Sequence, residues 1–215
     1  ASAGSYLAWM EVDGGVGCTD IMFHSIQVID VLTPQIDGQD TACINVPVQF
    51  TDQSVTTGAT ITAWNWDFGD GNTSNQQNPM HTYLNPGIYN VTLDVQTSTG
   101  CTNTGTFTIE VFAPPVADFD LTIPCEGQPT LFTDQSTDPN GTIVSWNWDF
   151  GDGSPNDNNQ NPDHLYAVAG TYPVTLDIVS SNGCAASITQ DAIIYPSPTA
   201  DFIYGLECGG VPVDL

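Results

Sequence analysis

The sequence predicts an all-β protein built from tandem copies of one β-sandwich. An octapeptide, Trp-Asn-Trp-Asp-Phe-Gly-Asp-Gly, begins at residue 64 and again at residue 146, a displacement of 82 residues. Short segments of alternating apolar residues, such as Tyr89, Val91, Leu93 and Val95, recur between turn residues at regular spacing. Such a pattern is typical of about seven short strands per repeat, and a displacement of this length indicates a repeated domain.

The octapeptide reads as a core strand that ends in a tight turn. Trp64, Trp66 and Phe68 are two residues apart, so all three should face the core from one side of a strand. The following Gly-Asp-Gly suits a turn, because glycine adopts positive φ at little cost. The predicted structural residues are Trp64, Trp66, Asp67, Phe68, Gly69, Asp70, Gly71, His81 and Tyr83, with Trp146, Trp148, Asp149, Phe150, Gly151, Asp152, Gly153, His164 and Tyr166 in the second copy.

Further paired motifs set the domain boundaries. His81-x-Tyr83 matches His164-x-Tyr166, and residues 87–94 match residues 170–177. The alignment predicts complete repeats at 34–113 and 114–197, the last two strands of a preceding repeat at 1–33, and the first strands of a following repeat at 198–215. Short proline-bearing linkers separate them, and proline favours extended geometry, so we expect consecutive repeats to stack end to end.

The charge composition excludes several classes of function. The chain has 25 Asp and Glu residues and no Lys or Arg, which gives a formal net charge of −25. Nucleic acids and anionic bilayers would be repelled, and lysine nucleophiles or arginine clamps are impossible. No apolar run reaches the roughly 18 residues that a spanning helix needs, so membrane insertion is not expected. Because carboxylates without basic partners attract divalent cations, bound Ca²⁺ stays open as an alternative to a simply solvated acidic surface.

These motifs resemble the PKD (polycystic kidney disease) domain, an immunoglobulin-like β-sandwich. The resemblance rests on the Trp-Asp-Phe-Gly-Asp-Gly segment at 66–71, His-Thr-Tyr at 81–83 and the Gly-x-Tyr-x-Val-Thr-Leu strand at 87–93; the second copy departs at Leu165. With its paired cysteines, the chain is similar to repeats of very long secreted surface adhesins of gliding Bacteroidetes-type bacteria, which use type 9 secretion. The resemblance implies a non-catalytic module and supplies no ligand.

Six cysteines fall into two classes, and their regular placement in a chain that looks secreted favours disulfides. Cys18, Cys101 and Cys184 follow a late glycine, whereas Cys43, Cys125 and Cys208 precede the second strand of a repeat. In an immunoglobulin-like sandwich these positions lie at opposite ends, roughly 20 Å apart, which is beyond the reach of a bridge. We therefore hypothesise a bond between Cys43 and Cys184, with Cys18, Cys101, Cys125 and Cys208 paired outside the chain. Pairing within a repeat stays open.

The histidines and aspartates of the repeats have structural and functional interpretations. His81 and His164 could act as bases or zinc ligands, but a ring hydrogen-bonded into the turn is the better account. Asp67, Asp70, Asp149 and Asp152 could form an acid–base pair, yet their duplication favours carboxylates that hold the glycine turn. An exposed strip of tryptophans for stacking on sugar rings would require Trp64 or Trp66 outside the core.

The expected function is a non-catalytic segment of a large extracellular, cell-surface adhesin or filament. Its partners would be neighbouring repeats of the same chain and a cell-surface protein or polysaccharide. The alternative is a carbohydrate-binding accessory region of a secreted hydrolase. Binding to an insoluble polysaccharide would favour the alternative.

Overall fold

The computed structural model describes residues 4–13, 15, 19–28 and 31–201, and in these residues the chain is all-β with no helix. Within this part of the chain nothing could cross a bilayer as a helix. The strands are β1 (Gly4–Asp13), β2 (Thr19–Val28), β3 (Val31–Thr33), β4 (Ile36–Asp37), β5 (Thr41–Cys43), β6 (Pro47–Gln49), β7 (Thr51–Asp52), β8 (Val55–Thr57), β9 (Ile61–Asp67), β10 (Thr73–Ser74), β11 (Met80–Thr82), β12 (Gly87–Thr97), β13 (Thr102–Phe112), β14 (Phe119–Leu121), β15 (Pro129–Asp134), β16 (Ile143–Asp149), β17 (Asp163–Leu165), β18 (Gly170–Ser180) and β19 (Ala185–Ile194).

Strands β1 and β2 form an antiparallel hairpin in which Trp9 lies opposite Phe23. Both of these side chains are exposed, as is the side chain of Leu7. The hairpin therefore presents apolar side chains to solvent.

The octapeptide strand β9 lies inside a five-stranded sheet, in the order β10-β9-β12-β13-β5. Strands β9 and β13 both pair antiparallel with β12, and β5 joins β13 in parallel. Three two-stranded pairings, β11-β6, β3-β8 and β4-β7, complete this repeat. Gly105 interrupts the apolar alternation of β13 because Pro34 lies against it; a Cβ there would be 2.9 Å from the Pro34 Cβ.

The core of this repeat is aromatic and aliphatic, as the period-two alternation predicts. Its buried members are Leu32, Val48, Phe50, Trp66, Phe68, Tyr83, Val91, Leu93, Val95, Ile109 and Val111. Phe50 contacts two aromatic residues of the octapeptide, with ring centroids 5.9 Å from Trp66 and 5.4 Å from Phe68. Burying three such rings together makes a large hydrophobic contribution to the stability of this repeat.

The second repeat has two three-stranded sheets, β14-β15-β17 and β16-β18-β19. Phe132 takes the place of Phe50, with ring centroids 5.4 Å from Trp148 and 5.3 Å from Phe150. Phe119 of β14 adds an edge-on contact to Trp148 at 5.0 Å. Each repeat thus has its own core, with the equivalent aromatic residues at its centre.

Contacts between residues divide the chain into two compact units. The first holds Ala1–Val116 together with Thr137–Val144 and Val179–Ala186. The second holds Ala117–Ser136, Ser145–Ile178 and Ser187–Leu215. The tip of the β18–β19 hairpin, which includes Cys184, therefore belongs to the first unit.

Candidate functional site

The Gly-Asp-Gly turn after β9 is held by the two aspartates of the octapeptide. Asp67 Oδ1 accepts a hydrogen bond from the Gly69 amide at 2.8 Å, and Asp70 Oδ1 accepts one from the Asn72 amide at 3.0 Å. Gly69 and Gly71 both have positive φ. Aspartate that accepts an amide two residues ahead is a common way to fix a turn, and both carboxylates do so here.

His81 of β11 is fastened to this turn. Its Nε2 lies 2.8 Å from Asp70 Oδ2, and its ring stacks on Phe68 with centroids 4.1 Å apart. Tyr83 meets the same ring edge-on, and its hydroxyl donates to the Phe68 carbonyl at 3.1 Å. The imidazole ring thus connects the turn to the core. We call this arrangement of the turn aspartates, the histidine and the tyrosine the bracket.

The second repeat reproduces this bracket. Asp149 Oδ1 accepts from the Gly151 amide at 2.9 Å, and Asp152 Oδ1 accepts from the Ser154 amide at 3.0 Å. His164 Nε2 lies 2.8 Å from Asp152 Oδ2, with its ring 4.1 Å from that of Phe150. Tyr166 donates to the Phe150 carbonyl at 3.0 Å.

The hydrogen bonds of the bracket change the acidities of its members. Burial alone would raise the pKa of Asp152, but hydrogen bonds from Ser154 and His164 outweigh it and lower the pKa to about 2. Asp70 shows the same balance, with Asn72 and His81 as donors and a lowered pKa. Burial, followed by the nearby Asp70 charge, raises the pKa of Tyr83. The aspartates therefore act as anionic acceptors and the tyrosines as neutral donors.

The tryptophans of the octapeptide occupy two environments, which refines the expectation that both face the core. Trp66 is fully buried, and its Nε1 donates to the Gln76 carbonyl at 2.9 Å. Trp64 is only half-buried at the rim of the core, and its Nε1 donates to Asp52 Oδ2 at 2.6 Å. The carboxylate lies at the protein surface, so the indole that reaches it stays at the boundary with water.

The second repeat places its tryptophans in the same way. Trp148 is buried and donates to the Asn159 carbonyl at 2.9 Å. Trp146 is half-buried and donates to Asp134 Oδ2 at 2.8 Å. In both repeats, therefore, one tryptophan of the pair retains access to solvent.

Asp52 and Asp134 are site residues that the sequence analysis did not single out. Asp52 Oδ2 also accepts from Gln77 Nε2 at 3.3 Å, and Asp134 Oδ2 from Gln160 Nε2 at 3.1 Å. The available signal was the pentapeptide Phe-Thr-Asp-Gln-Ser, present at 50–54 and at 132–136. Its repetition marks the aspartate, but only the fold brings it to the indole.

A shallow groove of about 560 Å³ runs along Trp64 in the first repeat. Asp52, Gln77 and Ser54 are among its polar lining residues, and Ile61 adds an apolar wall. An aromatic surface beside a few fixed polar groups is the usual composition of a small-ligand or polymer-binding groove. This groove is the candidate binding site of the chain.

The structure joins Cys43 to Cys184 in a disulfide, with an S–S distance of 2.01 Å and Cα atoms 5.7 Å apart. These distances lie in the ordinary range for disulfides. Cys101 and Cys125 are free and half-buried. Cys18 and Cys208 lie outside the described residues.

Calcium has no preformed carboxylate cluster in the described part of the chain. No group of three or more His, Cys, Asp or Glu side chains there is arranged to hold a metal ion. The carboxylate oxygens of the octapeptide aspartates instead accept hydrogen bonds from turn amides and from histidine.

Fold and site together define a tandem immunoglobulin-like β-sandwich whose duplicated octapeptide serves as core strand and turn. The PKD domain family matches residues 32–111 and 112–194, and the chain belongs to that family.

Curated relatives come from bacterial proteases. A microbial collagenase of Vibrio alginolyticus is 45% identical over 65 residues, which cover 30% of this chain and 8% of the relative. The pre-pro-metalloprotease PrtV of Vibrio cholerae is 30% identical over 132 residues, which cover 60% of this chain and 14% of the relative. The chain thus spans a small part of these relatives.

Two solved structures are similar to parts of the chain. The PKD1 domain of Vibrio cholerae PrtV is 34% identical and covers 38% of this chain and 98% of that domain, with a TM-score of 0.35. Three N-terminal domains of the bacteriophage RB49 Hoc protein cover 91% of this chain and 89% of theirs at 7% identity, with a TM-score of 0.51. At that identity the likeness to Hoc concerns the fold alone.

Proposed function

We propose that the chain is a non-catalytic accessory region of a larger secreted hydrolase and that it holds the hydrolase on an insoluble extracellular polymer. The observation that carries the proposal is a partly exposed tryptophan beside Asp and Gln in both repeats. Similarity to regions of a collagenase and a metalloprotease supports the accessory role.

A polysaccharide is the ligand that the groove chemistry favours. The face of an indole packs against the C–H face of a sugar ring, while carboxylate and amide groups accept or donate to its hydroxyls. Trp64, Asp52 and Gln77 supply these groups on one groove. A net charge of −25 favours a neutral polymer over an anionic one.

The test is co-sedimentation of the protein with insoluble chitin, cellulose and fibrillar collagen. The double variant Trp64→Ala with Trp146→Ala should bind about thirtyfold more weakly, because each stacking contact contributes roughly 1 kcal/mol and two are lost. Leu84→Ser is the matched control, since Leu84 is an apolar side chain that is 70% exposed and outside the groove. Circular dichroism checks that each variant is folded.

Retention on a polysaccharide that depends on the two tryptophans would support the whole proposal. Retention on collagen alone, with the same dependence, would keep the accessory role and replace the ligand. No retention on any polymer, or equal retention of the double variant, would contradict it.

A second candidate function, a load-bearing stalk of a surface adhesin, is favoured by the covalent bond between Cys43 and Cys184. The bond joins residues 141 positions apart in the sequence, across the two PKD segments. Such a bond limits how far the chain can be extended by force. Neighbouring repeats of the same polypeptide would be its partners.

A further inference from the structure

The two free cysteines occupy the same local structures as the two bonded cysteines. Cys101 follows the β12–β13 turn, as Cys184 follows the β18–β19 turn. Cys125 lies before β15, as Cys43 lies before β6. Each PKD segment therefore carries one cysteine of each kind.

The two hairpin cysteines, Cys101 and Cys184, make equivalent backbone hydrogen bonds. The carbonyl of Cys101 accepts from the Thr97 amide at 2.9 Å, and that of Cys184 from the Ser180 amide at 2.8 Å. The preceding glycines, Gly100 and Gly183, have φ of 85° and 80°. The two cysteines therefore occupy the same position in the same kind of turn.

The other pair of cysteines matches equally well. Cys43 lies in parallel pairing beside Phe112, and Cys125 beside Tyr195. The Cys43 carbonyl accepts from the Val46 amide at 3.2 Å, and the Cys125 carbonyl from the Gln128 amide at 3.1 Å.

Strand β13 shows why the two cysteines of one repeat do not pair with each other. Cys101 directly precedes Thr102 at one end of this 11-residue strand, and Cys43 lies beside Phe112 at the other end. At about 3.3 Å per residue these ends are about 33 Å apart, whereas a disulfide requires Cα atoms within about 7 Å. The 10-residue strand β19 separates Cys184 from Tyr195 in the same way.

We propose that Cys101 and Cys125 each form a disulfide with a cysteine of a neighbouring PKD repeat of the same polypeptide. Cys101 bonds to the cysteine that occupies, in the preceding repeat, the position equivalent to Cys43. Cys125 bonds to the cysteine that occupies, in the following repeat, the position equivalent to Cys184. The bonded pair in the structure is the template for both junctions.

The chemistry of each bond is an ordinary dithiol oxidation. Two thiols lose two protons and two electrons, and the S–S bond forms as the disulfide of an extracytoplasmic thiol–disulfide oxidoreductase is reduced to a dithiol. Both Cys101 and Cys125 are half-buried rather than enclosed, so a partner thiol can reach them. In a longer array every joint between repeats would then be cross-linked.

The first experiment counts thiols in the 215-residue protein under denaturing, non-reducing conditions. Because the sequence predicts partners outside the chain for Cys18 and Cys208 as well, the proposal expects four reactive thiols, whereas pairing within both repeats would leave two. Cys43→Ser should give five thiols, because Cys184 is released. Cys101→Ser should give three, because the Cys43–Cys184 bond is untouched.

The second experiment maps peptides of the full-length secreted polypeptide after alkylation without reduction. The expected result is that Cys101 and Cys125 are blocked until reductant is added, in peptides linked to cysteines of adjacent repeats. Alkylated Cys101 and Cys125, a Cys43–Cys101 peptide, or a bond from either free cysteine to a second molecule would overturn the proposal. The polymer-binding function is unaffected by this result.

Discussion

Gly69 and Gly71 have the same residue type and similar backbone angles but different surroundings. Both adopt positive φ, at 79° and 92°. A Cβ on Gly69 would lie 2.7 Å from the Asn90 carbonyl oxygen of the neighbouring strand, whereas a Cβ on Gly71 would meet nothing within 4 Å. Gly69 is therefore required by close approach of two backbones as well as by its dihedral angle.

Gly69→Ala should lower the free energy of unfolding by about 2 to 4 kcal/mol, because backbone strain adds to a clash with β12. Gly71→Ala should cost about 1 kcal/mol, from strain alone. Urea unfolding followed by tryptophan fluorescence measures both. Equal losses for the two variants would show that the contact with Asn90 does not matter.

The turn after the octapeptide strand is an element stabilised by charge as well as by packing. In the second repeat, Asp152 accepts from the Ser154 amide and from His164 at 2.8 Å, which keeps its pKa at about 2 against an ordinary value of 3.8. A folded-state pKa below the unfolded value means that the stabilisation is complete above about pH 4 and is lost as the pH falls toward 2.

Asp152→Asn should therefore be less stable than the natural protein at pH 7 and should lose less additional stability between pH 4 and pH 2. The measurement is the urea midpoint as a function of pH from 7 to 2. Asp120→Asn serves as the control, because Asp120 is an exposed carboxylate on β14. If the curves of Asp152→Asn and the natural protein stay parallel through this range, the bracket does not contribute to acid stability.

At the scale of the whole molecule, the bond between Cys43 and Cys184 limits extension. When the chain is pulled from its ends, the segment between the two cysteines, which are 141 positions apart, cannot extend while the bond is intact. At about 3.5 Å per residue, this hidden length is about 490 Å.

Single-molecule stretching should therefore show a gain of about 490 Å in extended length on reduction with dithiothreitol. Cys43→Ser should show the longer length without reductant, and Cys101→Ser should behave as the natural protein does. Identical lengths before and after reduction would contradict a load-limiting role. The result does not depend on polymer binding, so a failure here contradicts the stalk and leaves the accessory role untouched.

The sequence by itself determined the β-sandwich repeat, the core alternation and the glycine turn, because these depend on local periodicity and on backbone freedom. The repeated octapeptide and the Tyr89 to Val95 alternation already state which face of each strand is buried. Only the tertiary structure decided which tryptophan stays at the rim, and that Asp52 holds it, since the two residues come from different strands. The separation of Cys43 from Cys101 is already expected from the immunoglobulin-like fold, and the structure adds that Cys43 lies beside Phe112, at the far end of β13. Distances between residues remote in sequence depend on how strands pair, and no local pattern encodes them.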